Sequence, residues 1–332
     1  MEDPTSSPNA PAAARAPLPG AGVCFGIDEN GLGPVLGPLV VTGVALDGGM
    51  RPRTLGRLVG DSKALVAHGD VALGEAWARV LLEALGLPVS SPSEVLRRVS
   101  LDDDATLRAP CPKGRPTRDP ESAPTSMCFP ASEERFVASD ALLADVRAAL
   151  AGFPTRPVAL RAAFVCASRY NAAVEGGRNK LMLDLNEMER VALRMRDDAT
   201  LKDGALFDAV CGKVGGIGKY SGYFGPLSGH LHAIEHESAG ASVYRFPGLG
   251  RFAFVVDADA DDPLVGLASL VGKYLRELGM GRIVRWMRTQ AEDPELPEAS
   301  GYHDPITKRF VAATALVRKR RGVPDRCFTR NT

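Results

Sequence analysis

No C-x-x-C pair occurs among the six cysteines (Cys24, Cys111, Cys128, Cys166, Cys211 and Cys327), which are scattered along the chain. That spacing excludes a zinc ribbon and a small disulfide scaffold, and it fits a reducing, cytoplasmic setting. Net charge is missing too, because 40 basic and 40 acidic side chains cancel. Without a global basic field, any surface for nucleic acid has to be local. No apolar run is long enough to span a bilayer. The opening M-E-D-P-T-S-S-P-N-A-P lacks the apolar core of a signal peptide, so no membrane association is expected. Internal repeats are absent. What is left is ordinary for a soluble globular protein: 332 residues, 45% hydrophobic and 24% charged, enough for one large domain or two smaller ones.

One stretch organises the rest. Residues 22–46, G-V-C-F-G-I-D-E-N-G-L-G-P-V-L-G-P-L-V-V-T-G-V-A-L, read as a strand, a glycine-rich turn and a second apolar strand. Val23, Phe25 and Ile27 alternate with small residues, the pattern of a half-buried strand. The run stops at Asp28 and Glu29. Adjacent side chains on a strand point to opposite faces, so both acids serve one site only where the chain bends. Gly31, Gly33 and Pro34 supply that bend, and the glycines let a foreign backbone come close. Paired carboxylates beside bare backbone suit a divalent metal next to a polyanion; a surface turn with two solvated acids is the plainer alternative.

Along the chain, residues 1–20 are Pro-, Ala- and Ser-rich and read as a disordered tail. Strands are expected at about 22–28 and 38–46. In G-D-S-K-A-L, Asp61 or Ser62 can cap a helix, with Lys63 set against the helix dipole. Helical spacing covers 72–86, and 98–133 reads as an inserted surface excursion. A helix at about 139–151, a strand at 158–166 and a helix at 179–196 follow, the last with Leu181, Leu185, Met188 and Leu193 towards the core. A short strand ends on Asp208, and 212–250 is expected to be a long loop. A strand at 252–256 runs into D-A-D-A-D-D-P and feeds a helix from Leu264 to Leu278. Strands alternating with helices indicate an α/β domain.

Three apolar strands thus end in carboxylates: Asp28 with Glu29, Asp208, and the group Asp257, Asp259, Asp261 and Asp262. Ligands gather beyond the carboxyl ends of strands in open α/β sheets. Like charges gathered there repel unless cations neutralise them, and oxygen donors without His or Cys suit Mg²⁺ or Mn²⁺. D-A-D-A-D-D lacks the glycine and terminal glutamate of an EF-hand.

These residues resemble the type 2 ribonucleases H. G-I-D-E-N-G-L-G-P-V-L-G-P is similar to the family's G-[IV]-D-E-A-G-R-G-P-x-x-G-P, and D-S-K at 61–63 to its second motif. F-D-A-V at 207–210 resembles the strand carrying the third acid. The segment 259–273 resembles the one whose fourth acid stands ten residues before the Ser of A-A-S-I-x-A-K, which selects Asp259 ahead of Ser269. S-G-Y-H-D-P-I-T-K at 300–308 resembles S-G-Y-P-x-D-P-x-T. The resemblance covers roughly 22–65 and 180–330.

It implies a ribonuclease H-like mixed sheet flanked by helices, within residues 21–280, and a basic C-terminal helical extension over 281–332. It also implies two divalent cations, Mg²⁺ or Mn²⁺, held by Asp28, Glu29, Asp208 and Asp259. Asp257 stands where the family usually has Lys and ranks below Asp259. The implied activity is hydrolysis of the RNA strand in RNA/DNA hybrids, and cutting at ribonucleotides in duplex DNA, by a monomer. Gly31, Leu32 and Gly33 would form the turn that reads the 2′-hydroxyl, and Tyr302 would stack on a sugar. Ser62, Lys63, Ser269 and Lys273 complete the substrate-binding set, the two lysines at phosphates.

There are departures. Leu32 replaces the turn's Arg and with it an always-charged donor fork. Asn30 replaces Ala, His303 replaces Pro, and insertions at about 90–135 and 212–250 are unusual. Two rival readings follow: a non-catalytic relative that binds hybrids or junctions, and a zinc hydrolase using His232 and His236 of H-x-x-E-H if that segment is helical. Eight basic side chains over 302–332 (Lys308, Arg309, Arg318, Lys319, Arg320, Arg321, Arg326 and Arg330) suit backbone-phosphate binding.

Overall fold

The computed structural model describes residues 18–52, 58, 70–102, 129, 134–199, 205–214 and 218–331. The chain opens with a hairpin, β1 (Ala21–Asn30) and β2 (Leu39–Asp47). Helices α1 (Ala72–Ala84), α2 (Pro92–Val99) and α3 (Asp140–Ala151) lead to β3 (Pro157–Val165). Then come α4 (Ala167–Glu175), α5 (Lys180–Asp198) and β4 (Leu206–Gly212). Strands β5 (Ala233–Glu237), β6 (Ala241–Phe246) and β7 (Gly250–Val255) form a meander. One helical turn, α6 (Ala258–Asp261), precedes the 29-residue α7 (Pro263–Ala291), with α8 (Pro305–Ala313) and α9 (Ala315–Arg320) closing the chain.

The strands make one seven-stranded sheet in the order β3-β2-β1-β4-β7-β6-β5. Only β1–β4 and β4–β7 are parallel; the other pairs are antiparallel. The expected architecture, a mixed sheet flanked by helices with a helical C-terminal region, is the observed one. A single helix, α7, runs through residue 280, where the C-terminal extension was expected to begin.

Alternation along β1 sorts its side chains onto two cores. Val23, Phe25 and Ile27 bury against α5 residues Leu185, Met188 and Val191, while Cys24 joins the cluster under α1 and α7. Gly26 faces α7, and a Cβ there would fall on the backbone of Leu264. The helix therefore lies almost on the strand.

Two expectations from sequence fail here. Residues 212–250 are not a plain loop, because 233–237 and 241–246 are strands. Phe224, Tyr244, Phe246 and Phe252 stack edge-to-face beneath them, burial that single-strand patterning does not reveal. Before β5, Glu189 accepts hydrogen bonds from the backbone of Gly225 and Leu227, so α5 anchors the preceding segment. In addition, β4 does not stop at Asp208 but continues to Gly212. Most of 98–133, with Cys111 and Cys128, lies outside the described residues, as does the tail over 1–17. Among the described cysteines, Cys24, Cys166 and Cys211 are free. Among the described residues, no helix is long and apolar enough to cross a membrane.

Candidate active site at the carboxyl end of β1

Helix α7 runs along β1 and delivers its side chains in step with the strand. Leu264 meets Gly26, Ser269 hydrogen-bonds Asp28, and a Cβ on Gly272 would lie 2.5 Å from Asn30 Nδ2. Asn30 Nδ2 donates to the Ser269 carbonyl at 3.2 Å, tying the end of the strand to the helix. Asp28 is buried, and its carboxyl is held well above the ordinary carboxylate range. Burial is the largest cause and the charge of Glu29 the next; the Ser269 hydrogen bond offsets part of this, and Asp259 raises it further. The structure thus brings both Glu29 and Asp259 to bear on Asp28, with Ser269 hydrogen-bonded to it. Asp257 is an exposed residue in the left-handed conformation (φ 52°), and Asp259 rather than Asp257 acts on Asp28.

Asp208 is elsewhere. In the parallel β1–β4 ladder Cys24 sits opposite Asp208 and Ile27 opposite Cys211, so the neighbour of Asp28 is Gly212. Four residues of strand separate Asp208 from that position, about 13 Å. Asp208 is fully buried and committed to other work. Its Oδ1 accepts from Arg251 Nε at 2.8 Å, its Oδ2 accepts from the Leu18 backbone at 3.2 Å, and Arg51 Nε lies 3.9 Å away. Arg51 also donates to Asp262 at 2.9 Å, so the pairing is a buried network. The match of F-D-A-V to a strand-end acid fails because β4 runs four residues further than its apolar pattern implied.

Gly212 leaves the place beside Asp28 without a side chain. A Cβ there would stand 2.6 Å from Asp28 Oδ1 and 3.3 Å from Glu29 Oε2. Both carboxylates therefore lean over this glycine. Beneath the sheet, sequence reading missed Asp184 on α5. It is completely buried, and neither carboxylate oxygen has a hydrogen-bond partner. Its carboxyl is held well above the usual range by burial first, then by the charges of Asp28 and Glu187. One signal was available: Asp184 interrupts the apolar stripe of Leu181, Leu185 and Met188.

Next to the acids, the turn after β1 is bolted in place from three directions. Gly31 has φ +88°, a conformation that suits glycine. Arg330 donates to the Gly31 carbonyl at 2.6 Å and to the Gly37 carbonyl at 2.7 and 2.9 Å. Gly301 offers its carbonyl to the amides of Val35 and Leu36 at 2.9 and 3.1 Å, docking the 300–304 loop onto the turn. Arg276 of α7 donates to the Ser300 carbonyl at 2.8 Å and stacks 5.0 Å from the Tyr302 ring centroid. Tyr302 is 45% exposed beside this arrangement. Gly33 is exposed, with open space where a Cβ would stand. Leu32 is partly buried against apolar neighbours of the α5 side. Lys273 lies half-buried on the α7 face that carries Ser269 and Arg276. Asp61, Ser62 and Lys63 lie outside the described residues.

The zinc reading fails on geometry. His236 belongs to strand β5, so it and His232 are not one helical turn apart, and His232 packs against Phe224 and Phe246. In the C-terminal region Arg318 and Arg330 are buried and hydrogen-bonded within the protein. Lys308, Arg309, Lys319, Arg320 and Arg321 are exposed and form the local basic surface.

Residues 25–75 match the family model of ribonuclease HII. This match supports the resemblance to type 2 ribonucleases H over that segment of the chain. No curated protein matches the chain in sequence. Among solved structures, it is similar to ribonuclease HII of Archaeoglobus fulgidus in a PCNA complex, at 17% identity and TM-score 0.41 over 92% of this chain and 93% of that one. Bst-ribonuclease HIII with Mn²⁺ is similar at 14% identity and TM-score 0.45, over 99% and 71%. Ribonuclease H2 of Pyrococcus horikoshii OT3 is similar at 14% identity and TM-score 0.41, over 92% of each chain.

The ribonuclease HII match covers β1, the turn and β2, the part of the chain that carries Asp28, Glu29 and Gly31. The donor chemistry there fits a hard divalent cation: carboxylates, a hydroxyl, and a buried acid that a cation would relieve of repulsion. The count of donors is less complete. Among the described residues, no three Asp, Glu, His or Cys side chains are gathered as a metal-holding group.

Proposed function

We propose that this protein is a metal-dependent endonuclease that hydrolyses the RNA strand of RNA/DNA hybrids and cuts at ribonucleotides embedded in duplex DNA, leaving 5′-phosphate and 3′-hydroxyl ends. The observation that carries this reading is the buried Asp28, crowded by Glu29 and Asp259 at a strand end next to the glycine turn. Asp28, Glu29 and Asp259 would hold Mg²⁺ or Mn²⁺. When bound, a pair of such ions supplies an activated water and neutralises charge at the attacked phosphorus.

The chain's own residues do the rest. Ser269 orients the Asp28 carboxylate by hydrogen bonding. The Gly31–Gly33 turn offers bare backbone for the 2′-hydroxyl, the group that separates RNA from DNA. Tyr302, held by the loop docked on that turn, offers a face for the neighbouring sugar. Lys273 and the exposed basic side chains of α8 and α9 meet phosphates, which position the duplex without reading its sequence.

A second reading has an observation of its own. Gly212 stands beside Asp28, and Asp208 is engaged with arginines, so a relative that binds hybrids without cutting them fits these two facts. Cleavage assays in Mg²⁺ and in Mn²⁺ separate the readings, using an RNA/DNA hybrid, a duplex with one ribonucleotide, and all-DNA. Cutting of the first two but not the third is expected. Asp28→Asn should lower the rate by at least about a hundredfold, since even outer partners of metal ligands cost 10–100-fold. Binding without cutting in either metal rejects the nuclease and leaves the binder.

A further inference from the structure

We propose that Arg330 is a positioning residue for ribose recognition: its grip on the Gly31 and Gly37 carbonyls aims the Leu32 N–H at the 2′-hydroxyl of a bound ribonucleotide. This role rests on the ribonucleotide-recognising reading above and gives that recognition a determinant outside the turn. Leu32 takes the place of a guanidinium within the turn, yet a guanidinium reaches the same turn from the far end of the chain. Arg330 Nη1 donates to the Gly31 carbonyl at 2.6 Å, and Nε and Nη2 donate to the Gly37 carbonyl at 2.9 and 2.7 Å.

Arg330 is only 4% exposed, so it does not itself lie against a phosphate. Its guanidinium sits 5.2 Å from the ring centroid of the buried Tyr170. Among the described residues no carboxylate pairs with it, and the charge of Arg276 repels it. A buried cation without a counter-charge is costly, and merely fastening the chain end does not require one. Neutral groups already do the fastening. The Arg330 amide donates to the Val35 carbonyl at 2.8 Å, and Asn171 Nδ2 donates to the Arg326 and Thr329 carbonyls at 2.9 and 2.8 Å. Asn171 Oδ1 accepts from the Asn331 amide at 2.7 Å. What the guanidinium adds is direction. A peptide unit is planar and trans, so the C=O of Gly31 and the N–H of Leu32 point opposite ways. Holding that carbonyl from the buried side turns the Leu32 N–H away from the interior, and no acceptor among the described residues takes it. Gly33 follows, exposed and with open space where a Cβ would stand, so a sugar can come up to this amide. A rigid fork spanning two carbonyls fixes the orientation as a point charge on a flexible stem does not.

The experiment measures binding of the full chain by fluorescence anisotropy in EDTA, so that it reads the same for a protein that cuts and one that only binds. Two labelled duplexes of one sequence are used, all-DNA and DNA with a single ribonucleotide, which differ by one 2′-hydroxyl. Wild type should bind the ribonucleotide duplex more tightly. Arg330→Lys keeps the charge without the fork, and Arg330→Met removes both. Each should lower that preference about fivefold, the scale of one hydrogen bond, while affinity for all-DNA changes by less than about twofold. Preference kept in Arg330→Lys, whatever its melting temperature, overturns the proposal and leaves Arg330 a staple of the chain end. Equal loss of affinity for both duplexes also overturns it, because the guanidinium would then act on phosphate. Wild type without a preference overturns the ribonucleotide reading and the proposal together. A second measurement needs no variant. In wild type labelled with ¹⁵N-leucine, the Leu32 amide signal should move with the ribonucleotide duplex and not with all-DNA. The same response to both duplexes overturns the assignment.

Discussion

Asp208 shows how little a residue's identity says about its job until its register is known. As a strand-end acid it would sit among the metal-binding carboxylates; as the partner of Arg251 and Arg51 it neutralises a buried network. These roles make different predictions. Asp208→Ala should destabilise the fold by about 3–5 kcal/mol, because it leaves buried guanidinium groups unpaired. The Mn²⁺ affinity of the molecules that remain folded should stay at the wild-type value. Chemical denaturation measures the first and calorimetry the second. Loss of Mn²⁺ affinity without loss of stability would return Asp208 to the site. Leu32 is a similar lesson: it replaces a charged side chain and is partly buried among apolar neighbours, while Arg276 and Arg330 hold the turn from outside it.

At the scale of elements, the site depends on α7 lying close along β1. Gly26 permits the approach, since a Cβ there would collide with the backbone of Leu264 rather than with a mobile side chain. Overpacking of this kind costs typically 1–3 kcal/mol and more when backbone must shift. Gly26→Ala should therefore lower stability by at least about 3 kcal/mol. It should also weaken cleavage, because Ser269 rides on the same helix. Circular dichroism melts and the hybrid-cutting assay together test this; an unchanged melting temperature would mean that the helix can lift without loss. The opposite arrangement holds at Gly33, where there is open space, so contact from outside is not blocked.

Across the whole molecule, pH should act through Glu189, which fastens the segment before β5 to α5. Burial is the main reason its carboxyl is raised to about 7, partly offset by the amides of Leu227 and Gly225. An acid whose folded value lies above its unfolded value binds more protons when folded, so stability falls as pH rises between the two. Glu189 should therefore contribute a loss of stability from about pH 4.5 to about 7, complete above that. Glu189→Gln, neutral throughout, should flatten this part of the profile of melting temperature against pH. A parallel profile in the variant would assign the dependence to Asp28 and Asp184 instead.

The sequence by itself determined the strands and helices that apolar runs and helical spacing mark out: β1, β2, β3, α1, α3 and α5 lie within a residue or two of their expected bounds. It also determined the glycine turn and the pairing of Asp28 with Glu29, since φ > 0 and adjacent acids are written in residue types. Tertiary structure decided what period cannot carry. Strand register put Gly212 rather than Asp208 beside Asp28, and sheet packing turned the Gly-, Tyr- and His-rich 212–250 segment into two further strands. Helix packing left Asp184 fully buried with no hydrogen-bond partner on either oxygen. Register and placement are set by contacts between distant segments, with Cys24 opposite Asp208 and Leu264 against Gly26, and such contacts exist only once the chain has folded.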